Sequence, residues 1–213
     1  MCGIVGYIGQ KQCQSILIEG LKRLEYRGYD SAGVALIEDS HIRLARAKGR
    51  ISELEKKLVG HESEAMVGIA HTRWATHGAP SEHNAHPHLA LDGRIALVHN
   101  GIIENYAALR KFLESQNVVF RSETDTEVLA HLIGHFYSGN IEQAVRAALH
   151  EVDGTYGIAV LCADEPDRVI AARKGSPLII GVGDGEYLIA SDASAIIAHT
   201  TQVIFLNDGE MTV

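Results

Sequence analysis

A cysteine stands at position 2, with one methionine before it. The small side chain of Cys2 favours removal of Met1, which leaves a single residue with two reactive groups. They are a thiol with a reference pKa of about 8.5 and an α-amine of about 7.7–8.0. A nucleophile and a base then share one Cα. A second reading fits the same residue: a buried structural cysteine at the head of an apolar strand.

Further polar strings sit beside short apolar runs. His71-Thr-Arg-Trp-Ala-Thr-His-Gly78 follows the run at 67–70. Arg73 with Thr, His and Gly in one loop suits a carboxylate, because the guanidinium offers a two-pronged donor. A surface loop with a local ion pair fits these residues too. Trp74, the only tryptophan, reads as a lid or interface residue in so polar a setting. Asn100-Gly101 follows the run at 95–98, behind His99. An Asn amide and a Gly backbone N–H are the kind of donor pair that acyl transfer needs where negative charge develops. A plain Asn-Gly turn is the alternative. Asp125 stands at a predicted helix start, a position favoured by the helix dipole and equally open to a ligand ammonium.

His83, His86 and His88 have spacing that invites a metal test. There is no HExxH helix and the nearby carboxylates are only Glu82 and Asp92, so no metal is expected. No Walker A string or GxGxxG turn occurs, and no cofactor is expected.

The chain has 213 residues, enough for one large domain or two small ones. A net charge of −8 argues against a general nucleic-acid or anionic-membrane surface. No apolar run approaches the ~20 residues a membrane helix needs, and no basic leader precedes Cys2. Cys2, Cys13 and Cys162 form an odd set without CxxC spacing, which suits a reducing cytoplasm.

The elements that must position these residues follow from periodicity. Strands are predicted over 3–9, 33–38, 42–47, 67–70 and 95–98. A helical stripe runs through Ile16, Leu17, Leu21 and Leu24, and a short helix over 51–58. Residues 72–93 read as a long polar loop. Three helices follow. The first is capped by Asn105, with Leu109, Phe112 and Leu113 on its inner face. The second is opened by a Thr124-x-x-Glu127 capping box, and the third covers 141–150. The last part is strand after strand, at 157–163, 168–172, 178–182, 187–190 and 203–206. Strands at both ends with helices grouped between them indicate an α+β arrangement of packed sheets.

Taken together, the motifs resemble the glutaminase domain of glucosamine-6-phosphate synthases, class II (N-terminal-nucleophile) glutamine amidotransferases. The carrying stretches are Cys2-Gly-Ile-Val-Gly6, Glu25-Tyr-Arg-Gly-Tyr-Asp-Ser-Ala-Gly33, the string 71–78, His99-Asn-Gly-Ile-Ile-Glu-Asn105, 122–128, Gly154-Thr-Tyr-Gly157, Gly175-Ser-Pro-Leu178 and Ala190-Ser-Asp192. They cover nearly the whole chain in the family's order. The resemblance implies a four-layer αββα sandwich of the N-terminal-nucleophile hydrolase type, formed by residues 1–213 as one glutaminase domain. It also implies L-glutamine as substrate and hydrolysis of its γ-amide through a Cys2 thioester.

By the same resemblance Cys2 is the nucleophile, with Asn100 and Gly101 as the oxyanion hole. Arg73, Thr76 and His77 clamp the glutamine α-carboxylate, and Asp125 with the Gly101 carbonyl takes the α-ammonium. Arg27 and Gly28 form the loop beside the nucleophile, and Trp74 gates ammonia passage. A sugar-phosphate (synthase) domain is expected C-terminal to this chain, with dimerisation through it. On its own the chain is expected to release ammonia without making glucosamine 6-phosphate. Two other classes remain open from residues alone: a non-catalytic glutamine-binding module and a His-based metallohydrolase.

Overall fold

The period-two runs become strands and the 3.6-period stripes become helices in a computed structural model that describes residues 2–74 and 78–213. In chain order the strands are β1 (Gly3–Ile8), β2 (Ser31–Glu38), β3 (His41–Lys48), β4 (Val67–Arg73), β5 (His88–Ala90), β6 (Ile95–Ile103), β7 (Gly154–Cys162), β8 (Val169–Lys174), β9 (Ile179–Val182), β10 (Tyr187–Ala190), β11 (Val203–Phe205) and β12 (Met211–Thr212). The helices are α1 (Cys13–Leu24), α2 (Ile51–Leu58), α3 (Tyr106–Ser115), α4 (Asp125–Phe136) and α5 (Ile141–His150).

The strands form two sheets. One has seven strands in the order β11-β9-β10-β1-β4-β2-β3, the other five in the order β12-β8-β7-β6-β5, and all the ladders are antiparallel. Successive side chains on a strand point to opposite faces, so each sheet feeds two cores. On the outer face of the first sheet, Val5 and Tyr7 pack against Leu17, Leu21 and Leu24 of α1 and Leu54 of α2. On the outer face of the second, Leu97, Ile158 and Val160 meet Leu129, Ile133 and Val145 of α4 and α5. Between the sheets lies a third core, with Ile4, Ala35 and Ile69 from one side and Ala96, Val98, Ala159 and Leu161 from the other. The layers are α, β, β, α, as the resemblance implied.

Helix α2 and helix α5 have the expected bounds. Several strands run further than the apolar runs suggested, and two of them bear on the site. β4 continues through His71, Thr72 and Arg73, and β6 through His99, Asn100 and Gly101. These polar residues are therefore strand residues and not loop residues. The ladders explain it: β4 is paired on both sides, Ile4↔His71 with β1 and Gly33↔His71 with β2, while Asn100 pairs Gly157. The long polar loop also yields a short strand, β5.

The Thr124 cap is half of the predicted box. Its hydroxyl accepts from Glu127 N at 3.2 Å, but Glu127 reaches back to Arg121 N and Ser122 N at 2.8 and 2.6 Å. Burial alone would raise the Glu127 pKa; His131 and those N–H groups overcome it and hold the carboxyl at about 2. Asn105 occupies the N-cap position of α3 without capping it. Its amide instead joins Glu151 O and Asp153 N. Phe112, expected on the inner face of α3, is largely exposed and meets the ring of His135 edge-on.

Candidate active site

Alternation along three strands builds the site. In β4, Ile69 faces the inter-sheet core, so His71 and Arg73 share its side. In β6 the same parity carries Val98 to Asn100, and Cys2 lies two residues before Ile4 of β1. At one end of the inter-sheet layer, three apolar columns thus turn polar together. Thr72 falls on the opposite face, where a Cβ on Gly3 would come within 2.7 Å of its hydroxyl and of Leu24 Cδ1.

A cavity of about 400 Å³ opens at this end, lined by Cys2, Arg27, Arg73, Trp74, Asn100, Gly101 and Asp125 among others. That size suits a small metabolite. The Cys2 sulfur accepts from Trp74 N at 3.2 Å. Burial pushes its thiol pKa up, while the Trp74 N–H and the Arg73 charge pull it back. Asn100 Nδ2 donates to the carbonyl of Cys2 at 3.3 Å, linking the two sheets at Cys2. Gly101 has φ +134°, and a Cβ there would lie 2.1 Å from Thr155 O, so only glycine fits this close approach.

Arg73 is buried, donates to Gly78 O at 3.1 Å, and its Nη1 lies 3.7 Å from Asp30 Oδ1. Asp125, in the first turn of α4, is buried, and its Oδ2 accepts from Ile103 N at 2.8 Å. A guanidinium and a carboxylate therefore border the cavity that also holds the thiol. Thr76 and His77, the other expected members of the carboxylate clamp, lie outside the described residues.

Arg27, Gly28 and Trp74 come together beside Cys2. A Cβ on Gly28 would be 2.1 Å from the Trp74 ring, which is itself half exposed at 54%. Arg27 reaches the carbonyl and hydroxyl of Ser191 at 3.4 and 3.5 Å and Asp192 at 3.7 Å. That Ser191 hydroxyl also accepts from Ile4 N at 3.0 Å, anchoring β1.

His71 and Ser191 stand within the sequence motifs, where nothing in the letters alone assigns them a task. The i, i+2 series Ile69–His71–Arg73 is the signal that would have placed His71 inside. Two of the three histidines of the 83–88 group have side-chain partners among the described residues. His86 stacks on His71 with centroids 4.2 Å apart, and His86 and His88 meet edge-on at 5.0 Å. His88 Nε2 lies 2.9 Å from the Thr124 hydroxyl. Among the described residues no three His, Cys, Asp or Glu side chains converge as metal ligands.

A family model described as a glutamine amidotransferase domain matches residues 71–198. The chain is 56% identical over 210 residues to the glutamine–fructose-6-phosphate aminotransferase (isomerizing) of Clostridium tetani, covering 99% of this chain and 34% of that protein. It is 54% identical over 213 residues to the protein of the same name from Caldanaerobacter subterraneus subsp. tengcongensis, covering 100% of this chain and 35% of the other. The chain thus spans about a third of the length of the curated relatives it matches. Among solved structures it is similar to glutamine phosphoribosylpyrophosphate amidotransferase from B. subtilis, with a TM-score of 0.85 and 27% identity over 99% of this chain and 46% of that one.

Proposed function

The chain belongs to the glutamine amidotransferase domain family, and on that premise we propose that it hydrolyses the γ-amide of L-glutamine through a thioester on Cys2. The observation that carries this reading is the convergence of a thiol, an amide donor, a guanidinium and a carboxylate on one cavity.

Glutamine has a carboxylate and an ammonium at one end and an amide at the other. Arg73, with Thr76 and His77, takes the carboxylate, and Asp125 with the Gly101 carbonyl takes the ammonium. The γ-amide then lies against Cys2. Once Met1 is gone, the Cys2 α-amine accepts the thiol proton as sulfur bonds to the amide carbon. The oxygen of that carbon becomes an oxyanion, received by Asn100 Nδ2 and the Gly101 N–H. Collapse breaks the C–N bond, and the proton held by the α-amine leaves with ammonia. Water attacks the thioester, releasing glutamate and restoring the thiol. Fixing the amide in attack geometry supplies part of the roughly 7–11 kcal/mol available from proximity.

Residues 1–213 act as one glutaminase domain in this reading. The names of the relatives support fructose 6-phosphate as acceptor of the ammonia, and their length, of which this chain spans about a third, supports a further domain. In this reading that is a sugar-phosphate domain C-terminal to the chain, which makes glucosamine 6-phosphate and through which the protein dimerises. Cys2, Cys13 and Cys162 are free thiols, which supports a cytoplasmic location. No helix among the described residues is long and apolar enough to cross a membrane.

Glutamate release from glutamine, followed beside the mass of the N-terminus, tests the proposal. Release should depend on Met1 removal and vanish in Cys2→Ala. Equal release by Cys2→Ala, or by a form that retains Met1, would refute the thioester route.

A further inference from the structure

Asn100 can serve as an oxyanion donor only in one of its two amide orientations. A flip of 180° about its last torsion exchanges the N–H₂ group for a carbonyl oxygen, which would repel the developing charge. One neighbour selects the useful orientation, and a second can hold it. Nδ2 faces the carbonyl of Cys2, an acceptor only, at 3.3 Å. Oδ1 faces Nε2 of His71 at 2.9 Å. With Asn100 oxygen on that side, His71 has to donate, so its proton sits on Nε2.

His71 is suited to that task by its position. It is fully buried, paired in the ladder between Ile4 and Gly33, and does not itself line the cavity. Burial pushes its pKa down to about 3, only partly opposed by the Asn100 bond, so the ring is neutral in ordinary buffers. The ring is packed against His86. The segment carrying His86 is in turn held by Arg46, whose Nη1 donates to the carbonyls of His83, Ala85 and Pro87 at 3.4, 3.2 and 3.5 Å.

We propose that His71 is a positioning residue for amide hydrolysis: its Nε2–H holds Asn100 Oδ1 and so keeps Asn100 Nδ2 turned toward the oxygen that becomes the oxyanion when Cys2 attacks. This rests on the glutaminase reading above. It predicts a defect in turnover and not in glutamine binding, since the charged end of the substrate is held by other residues.

The test is steady-state glutamate release by the Met1-processed chain and its variants. Wild type against Cys2→Ala comes first: no difference there sinks the glutaminase reading itself. With that difference established, His71→Phe should lower kcat by about 10- to 100-fold, within what small misplacements cost, and leave KM within about twofold. His71→Gln, whose amide N–H₂ can donate to Asn100, should regain part of the loss. In an Asn100→Ala background His71→Phe should cost nothing further. Unchanged kcat, a loss confined to KM, or the same fold-loss in both backgrounds would overturn the proposal while leaving the glutaminase reading intact. A second readout needs no variant to fold. Nitrogen-15 spectra of the wild type at neutral pH should show a neutral His71 ring protonated on Nε2, and a proton on Nδ1 would refute it.

Discussion

The two ends of the inter-sheet layer are made by the same strands and do opposite work. At one end Ile4, Ile69 and Val98 are fully buried and pack as an ordinary apolar core. Two residues away stand Cys2, half-buried just before β1, and the buried His71 and Asn100, the three joined by hydrogen bonds. Backbone geometry is common to both ends; only the side chains differ. The apolar end contributes stability and holds the sheets at fixed spacing, and the polar end uses that spacing to aim donors. A buried polar group costs free energy unless it is partnered, so each group at the polar end is steered by its neighbour. Apolar packing and paired polar groups are thus separated by one repeat of the pleat.

Substitutions at matched positions test that separation. The largest effect is expected at Cys2. Cys2→Ala should cut glutamate release by at least about 10³-fold, as loss of a covalent nucleophile does, without moving the thermal midpoint. Residual release at a tenth of wild type would break the contrast. Next comes Asn100→Ala, for which kcat should fall about 10²–10³-fold, the usual cost of one oxyanion donor. Across the layer, Ile69 on β4 gives the mirror result. Ile69→Ala should destabilise the fold by about 2–5 kcal/mol, while the folded fraction keeps kcat near wild type. If chemical denaturation shows little change for Ile69→Ala, the apolar end is not the anchor described here.

A smaller effect is expected from Asp125→Asn. It keeps an acceptor for Ile103 N but removes the charge. KM for glutamine should rise about tenfold or more, because an unpaired substrate ammonium loses a charged hydrogen bond, with kcat changed less. A kcat defect without a KM change would remove Asp125 from substrate binding.

The mildest test is pH. His71 and His88 titrate at about 3 in the fold because burial disfavours their charged forms, against an ordinary value of 6.5. The unfolded chain therefore binds more protons than the native state between those values, and stability falls as pH drops through that window. It is fully retained above about pH 6.5. Moving from pH 7.5 to 5.5 should lower stability by about 1 kcal/mol for each such histidine. Equal urea midpoints at the two pH values would show that these rings are already protonated or hydrated in the native state.

Much of this was legible in the letters. Helices α2 and α5 end where periodicity placed them, and the residues assigned to the nucleophile, the oxyanion donors and the two charge clamps reach one cavity wherever the structure describes them. What escaped was the extent of β4 and β6. A His, Thr or Asn looks like the end of a strand when its partners are out of sight. The partner of His71 is 29 positions away and that of Asn100 is 98 away. Sheet order was equally hidden, since β1 pairs with β4 and with β10, far along the chain. The half-formed capping box at Glu127 shows the same limit: spacing marked a helix start, but which N–H groups the carboxylate would take depended on the fold of the preceding loop.

The bond from Asn100 to the Cys2 carbonyl has a consequence in time as well as in space. A ribosome releases the thiol first and the amide nearly a hundred residues later. Neither sheet is complete at that point, because β9, β10 and β11 of the first and β7, β8 and β12 of the second are still to come. The bond between Asn100 and Cys2 thus joins two early segments whose sheets are finished only by the last part of the chain.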